Sequence, residues 1–281
     1  RRRLGGRATS FVDQGTGETL DNCQHVALGC CTAYLDFCRR IGALDLFDWH
    51  SEQYWIEEGG RESIIRPGRL PAPAHYTEAF LVAKFLSAEE KLAVGRAMLA
   101  IAATDRRDHI GRTFGEFLRG LGQPQRAIDR FWSPIIVSAC NLHVDRVAAP
   151  PAMKVFQDGF LAPGMGARAG LIGLPRVPLV RLYDRAVDII TEAGGEVRYG
   201  ANVERLWPDR VLLDGESLSA KAVICALPVE RACRVAAPEV QSGDARFDAM
   251  ATAAFSPILG VHIEFDRPVL HRPHAVLVDR P

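Results

Sequence analysis

Residues 1–11 read Arg-Arg-Arg-Leu-Gly-Gly-Arg-Ala-Thr-Ser-Phe. A glycine pair between arginines makes a loop, and Ala8-Thr9-Ser10-Phe11 leads out of it into a short strand. By itself this is an ordinary Gly-Gly turn beside a solvated arginine. It gains weight from a second run, residues 179–228. There Leu179, Leu182, Tyr183, Ala186 and Ile190 mark one face of an amphipathic helix, which Gly194-Gly195 ends as a left-handed cap. The period then shortens. Glu196–Tyr199, Asn202–Trp207, Arg210–Leu213 and Lys221–Leu227 have strand character, with Asp214-Gly215 as a turn between two of them. Ala222–Leu227 is apolar throughout and stops at Pro228, which predicts a buried strand closing a β-meander.

Between these runs the pattern is mostly helical. Leu28, Cys31, Leu35, Cys38 and Ile41 recur at helical spacing and Gly42 is a stop. Tyr54-Trp55-Ile56, Gly59-Gly60 and Ser63-Ile64-Ile65 predict a β-hairpin. Thr77–Thr104 reads as two helices, because Ser87 with Glu90 forms a capping box. Residues 111–148 are helical, with Phe114, Phe117, Leu118 and Leu121 on one face and Ile128, Phe131, Trp132, Ile135 and Ile136 on another. Residues 149–178, rich in Pro, Gly and Ala, read as a partly ordered, exposed apolar region. Ser256–Phe265 alternates like a strand.

The chain has 281 residues, 48% hydrophobic and 24% charged, which excludes disorder and disulfide mini-scaffolds. Lys+Arg and Asp+Glu are both 34, and this neutral balance argues against nucleic acid as a partner. Lysine stands only at 84, 91, 154 and 221; the other basic residues are arginine, a usage typical of a GC-rich genome. No run reaches the length of a transmembrane helix. The seven cysteines are odd in number and several sit in apolar runs, so they read as small buried hydrophobes in a reducing compartment. The spacings among Cys23, Cys30, Cys31 and Cys38 match no metal-binding pair, so no metal is expected. Cys30 and Cys31 are read as packing residues, since neighbours on a helix point apart. The start at Arg1 without Met, and the end at Pro281 after a strand-like run, lead us to expect an internal piece of a longer chain.

The opening segment resembles the second FAD-contacting segment of the flavin amine oxidase and phytoene desaturase superfamily. In that resemblance the Gly5-Gly6 pair lets backbone approach the pyrophosphate, and Arg7, with Arg1 and Arg3 beside it, offers charged donors to phosphate oxygens. Residues 189–228 resemble the superfamily's second nucleotide-contacting unit. Val203 takes the place of the valine whose backbone touches adenine, and Ala226-Leu227-Pro228 matches the closing strand. Leu20–Cys31 (Leu-Asp-Asn-Cys-Gln-His-Val-Ala-Leu-Gly-Cys-Cys), Arg130–Pro134 (Arg-Phe-Trp-Ser-Pro) and Val155–Leu161 (Val-Phe-Gln-Asp-Gly-Phe-Leu) resemble the squalene-associated FAD-dependent desaturases, the hydroxysqualene dehydroxylases of bacterial hopanoid pathways.

The resemblance implies an α/β protein: a Rossmann-like FAD-binding domain, incomplete in this stretch, with an inserted, mainly helical substrate domain. The implied division is 1–50 (partial FAD-binding domain without its Gly-x-Gly-x-x-Gly unit), 51–178 (substrate domain, hairpin plus helices), 179–245 (FAD-binding helix and meander) and 246–281 (a strand returning to the substrate domain). The implied activity is FAD-dependent reductive dehydroxylation of hydroxysqualene to squalene. The alternatives are a carotenoid desaturase or amine-oxidase-like flavoenzyme and, in another class, a flavin-free structural or binding protein. The stretch alone, without the Gly-x-Gly-x-x-Gly turn, is expected to bind no FAD and to be inactive.

His25 is the first candidate for catalytic acid and Asp21 the second. Arg1, Gly5, Gly6, Arg7, Gln24 and Val203 are the cofactor-binding candidates. The implied partner is a C30 isoprenoid, handed over from squalene or hydroxysqualene synthase-like enzymes. Its tunnel is expected among the helices of 77–148, where Phe80, Phe85, Phe114, Phe117, Phe131 and Trp132 are available, though most also suit a plain core. A cytoplasmic location is implied, with peripheral contact to the inner membrane through Phe160, Leu161, Met165, Leu171 and Ile172.

Overall fold

A computed structural model describes residues 3–162 and 170–279. The chain divides into two compact units, a larger one (Ala8–Arg185 with Ile258–Pro281) and a smaller one (Arg1–Arg7 with Ala186–Pro257).

The larger unit opens with an antiparallel pair, β1 (Ser10–Val12) and β2 (Thr19–Asp21). β3 (Ala27–Leu28) and helix α1 (Thr32–Arg40) follow. The helix starts four residues later than the apolar spacing predicts, because Ala27 and Leu28 are drawn into a sheet. β4 (Phe47–His50), β5 (Gln53–Ile56) and β6 (Glu62–Ile65) come next. β5 and β6 are the predicted hairpin, turning at Gly59 and Gly60, both at positive φ. Helices α2 (Thr77–Val82) and α3 (Ala88–Ala103) are separated as predicted, and the Ser87–Glu90 capping box is formed in both directions. α4 (Phe114–Gly120) is followed by α5 (Gln125–Ala127), a π-helical turn (Ile128–Trp132) and α6 (Ser133–Cys140).

The largest departure from expectation lies at 149–160. Instead of an exposed region, α7 (Ala149–Lys154) and a π-helical turn (Val155–Phe160) run through the core, with Ala149, Ala152, Met153 and Phe156 fully buried. Pro150 and Pro151 read as loop residues in sequence. In the first turn of a helix, however, their missing N–H groups cost nothing. β7 (Ile172–Pro175) then lies between β3 and β4 as the centre of a three-stranded sheet. Gly173 allows that placement, since a Cβ there would stand 2.9 Å from the Trp49 ring.

The core of this unit is aromatic. Trp55 stacks on Phe85 (centroids 4.9 Å), and Trp132 packs edge-to-face on Phe131 (5.0 Å) and Phe156 (4.8 Å). Phe85, Phe114 and Trp132 are 0% exposed. These side chains touch one another, so they form a packed core rather than the walls of the expected tunnel.

In the smaller unit, α8 (Asp184–Glu192) leads to a meander of β8 (Val203–Leu206), β9 (Arg210–Leu213) and β10 (Glu216–Ser219), in the order β10-β9-β8. The turn at Asp214 and Gly215 is as read from sequence, both at positive φ. Helices α9 (Val229–Val235), α10 (Pro238–Ser242) and α11 (Arg246–Ala251) complete it. Three predicted strands are absent: Glu196–Tyr199, Lys221–Leu227 and Ser256–Phe265 form no ladder. Ile224, expected inside, is 92% exposed and Leu259 is 89% exposed. Apolar patterning favours a strand only where a neighbour supplies the hydrogen-bond ladder, and no described residue does so for these three. In the larger unit, β11 (Val276–Leu277) adds in parallel to β5.

Compactness divides the chain differently from the expected boundaries at 50, 178 and 245. Residues 8–50 pack in the larger unit, because β3 and β4 both take β7 as their partner.

Candidate functional site

Of the cofactor-binding candidates, Gly5, Gly6, Arg7 and Val203 fall in the smaller unit. Gly5 and Gly6 have φ of +93° and +60°, a left-handed turn that side chains disfavour. Nothing stands within 4 Å of where a Cβ on Gly6 would be. Arg7 follows directly, its guanidinium 5.6 Å from the Phe255 ring centroid. Val203 begins β8 opposite Leu213. A glycine pair at positive φ next to an arginine suits the diphosphate of a dinucleotide cofactor. Arg1 lies outside the described residues.

The other candidates fall in the larger unit. Asp21 ends β2. Its Oδ1 accepts from Ser10 Oγ at 2.7 Å and from the Leu179 N–H at 2.9 Å, while Ser10 Oγ also accepts from the Val180 N–H at 3.1 Å. The carboxylate thus joins the β1–β2 hairpin to the chain entering α8. Gln24 is exposed. His25 is half-buried, its Nδ1 2.9 Å from the Cys23 carbonyl oxygen and 3.6 Å from Cys23 Sγ. A carbonyl only accepts, so Nδ1 carries a hydrogen there, and Nε2 lies 3.9 Å from Cys23 Sγ. Directly after it, β3 and the bond from Gly29 N–H to Leu171 O (2.9 Å) fix the loop to β7.

The cysteines are less buried than their apolar neighbours suggested. Cys38 is buried, but Cys31 and Cys225 are exposed and the rest are half-buried. Among the described residues no group of three or more His, Cys, Asp and Glu is placed to hold a metal ion. No described helix is long and apolar enough to cross a membrane. Of the residues considered for membrane contact, Phe160 and Leu161 are half-buried against the core, Ile172 belongs to β7, and Met165 lies outside the described residues.

A charged cluster escaped the sequence reading. Arg130, in the π-helical turn, donates to Phe85 O (2.7 Å), Glu57 Oε1 (2.7 Å) and Asp279 Oδ1 (2.8 Å). Arg61 also bonds Glu57. Hydrogen bonds from Arg61 and Arg130 hold the Glu57 carboxyl below the usual carboxylate range, against the opposing effect of burial. The available signal was an arginine among Ile128, Phe131 and Trp132, a charge in an otherwise buried turn. A groove of about 1150 Å³ runs beside this cluster, lined by Arg61, Arg126, Arg130, Ser133 and Asp279 among others. None of the candidate site residues lines it.

A glycine turn at positive φ, an antiparallel meander carrying Val203 and a mixed α/β architecture are the features the comparisons bear on. The chain belongs to the flavin containing amine oxidoreductase family, whose profile matches residues 1–280. The cofactor this membership carries is FAD. Solved structures agree on the fold. An oxidoreductase from Methanosarcina mazei is 15% identical with a TM-score of 0.61, covering 89% of this chain and 58% of its own. The PF1083 protein of Pyrococcus furiosus is 16% identical with a TM-score of 0.60, over 89% of this chain and 57% of its own. Putrescine oxidase bound to putrescine is 17% identical with a TM-score of 0.57, over 85% and 54%. The chain therefore spans somewhat over half the length of these structures. Among curated proteins, none matches the chain.

Proposed function

We propose that the protein removes a hydroxyl group reductively from hydroxysqualene, giving squalene, as an FAD-dependent oxidoreductase. The observation that carries this reading is His25, whose ring orientation is held by its Nδ1–H on the Cys23 carbonyl. Its support in sequence is the resemblance of segments 20–31, 130–134 and 155–161 to hydroxysqualene dehydroxylases. When bound, the flavin supplies a hydride. The chain's own residues do the rest. Gly5, Gly6 and Arg7 hold the diphosphate, and Val203 offers backbone to the adenine. His25 Nε2 gives a proton to the departing hydroxyl, which leaves as water rather than as hydroxide. Asp21, with its Oδ1 already accepting two hydrogen bonds, keeps the neighbouring loop in place.

The test is product analysis with the full-length protein, FAD and a chemical reductant, offered hydroxysqualene, phytoene and a primary amine in parallel. Squalene is the expected product. Desaturated phytoene or oxidised amine, with no squalene, overturns the reading in favour of the carotenoid desaturase or amine-oxidase-like alternative. His25→Gln is expected to lower turnover by about 10²–10⁴-fold with FAD occupancy unchanged. Full turnover removes His25 from the mechanism. An oily substrate also favours delivery at a membrane surface or from the enzyme that makes it, and flotation with liposomes reads the first directly.

A further inference from the structure

Helix α3 is apolar on two sides. Its inward side buries Ala93, Val94, Ala97 and Ile101. Its outward side carries Ala88, Leu92, Leu99 and Ala103, all exposed and spaced along one stripe. The end of α2 extends this surface with Leu81 and Val82. Leu81, Val82, Leu92 and Leu99 are each between 61% and 74% exposed. The two helices are tied there, since Lys91 Nζ donates to Leu81 O at 2.6 Å. The Lys84 N–H bonds Ser63 Oγ at 2.8 Å, which fixes the linker between them to β6. Single exposed leucines are ordinary, but four large apolar side chains on one surface of two tied helices are not. A helix with apolar residues on both faces is one whose outer face meets something other than water.

Charge identifies the class of partner. Lys84, Lys91 and Arg96 border these apolar residues, and Arg96 lies in the stripe between Leu92 and Leu99. Two of the chain's four lysines thus stand seven positions apart on one surface. From Lys91 to Ala103 the helix has no acid, and of the two acids in its first turn Glu90 is buried and bonded by Arg126. Among the described residues no carboxylate pairs with Lys84, Lys91 or Arg96. A second copy of the chain fits this face poorly, because a self-complementary contact brings the three cations against their own images. Apolar side chains level with cationic ones on long stems match the boundary between acyl chains and anionic headgroups.

We propose that the outward face of α2 and α3 docks the protein on a bilayer that carries anionic lipid. Helix α3 lies in the interface plane, with Leu81, Val82, Leu92 and Leu99 at the level of the upper acyl chains and Lys84, Lys91 and Arg96 at the headgroup phosphates. Leu92 and Leu99 stand about 10 Å apart along the axis, so both reach the same depth when the helix lies flat. This face is distinct from the contact expected through Phe160, Leu161 and Ile172, which serve the core and β7. The docking holds whichever substrate the enzyme takes.

The experiment floats the full-length protein with vesicles of phosphatidylglycerol and phosphatidylcholine, with vesicles of phosphatidylcholine alone, and without lipid. Co-flotation with the anionic vesicles is expected, and weaker flotation with the neutral ones. Lys84→Gln with Arg96→Gln is expected to lower partitioning roughly 25-fold, since each cation at an anionic surface contributes about fivefold. Leu92→Glu with Leu99→Glu is expected to abolish flotation with the urea midpoint unchanged, because both side chains face outward. Leu92→Gln with Leu99→Gln takes its place if the charged pair lowers that midpoint. No flotation with anionic vesicles, equal flotation with anionic and neutral ones, or equal flotation of the wild type and the double variants overturns the proposal. A wild type that is dimeric without lipid, with Leu92→Glu and Leu99→Glu making it monomeric, also overturns it and assigns the face to a second copy.

Discussion

The Arg130 guanidinium donates from Nη2 to Glu57 Oε1 across 2.7 Å, with the two side chains only 10% and 4% exposed. It also bonds Asp279 near the end of the described chain and Phe85 O before α3, so one residue joins β5–β6, the helices and β11. Removing it leaves the buried Glu57 carboxylate with Arg61 as its arginine partner and takes the donors from Phe85 O and Asp279. Arg130→Met is therefore expected to destabilise the fold by about 3–5 kcal/mol, and Arg130→Met with Glu57→Gln by less than Arg130→Met alone, as read by urea unfolding.

A pH dependence follows from His274. Its ring lies 5.8 Å from that of His50 and 5.5 Å from that of Tyr54, whose ring Arg272 covers. Burial, then the neighbouring His50, lowers its affinity for a proton below the usual 6.5. His75 is shifted the same way by burial. The unfolded chain therefore binds more protons as pH falls through 6.5, so the stability these groups contribute is complete above that value and lost below it. The urea midpoint is expected to drop between about pH 7.5 and 5.5, and His274→Gln to flatten part of the slope.

Asp21 holds Ser10 and Leu179 through one oxygen. Asp21→Ala is expected to cost about 1.5–3 kcal/mol in thermal or urea unfolding, with flavin present or absent. An effect on turnover with stability untouched would instead assign Asp21 to the chemistry.

The burial of residues 149–160 can be checked by truncation. Phe156 is fully buried between Phe114, Trp132 and Phe160. Phe156→Ala is expected to cost about 3–5 kcal/mol, as in other large-to-small core changes. A side chain in an exposed loop would cost almost nothing.

Much of the local structure was legible in the sequence because its causes are local. The Ser87–Glu90 box, the Gly59-Gly60 hairpin, the Asp214-Gly215 turn and the left-handed Gly5-Gly6 pair each follow from the residues within a few positions. The paired motifs around Gly5 and Val203 also pointed to the flavoprotein family.

Tertiary structure decided what depends on distant partners. Ala222–Leu227 and Ser256–Phe265 carry strand patterns, yet a strand needs a ladder and none is supplied among the described residues. Pro150 and Pro151 read as loop, yet they open a core helix because the helix start tolerates them. Arg130 meets Glu57 and Asp279 across 73 and 149 residues, a separation no periodicity encodes. Cys30 and Cys31 were assigned by helical geometry that the turn before α1 does not follow. Sequence fixes which backbone turns are available and which side chains seek burial. Which of them find a partner is settled only when the chain folds and buried charge, apolar surface and backbone hydrogen bonds must be satisfied together.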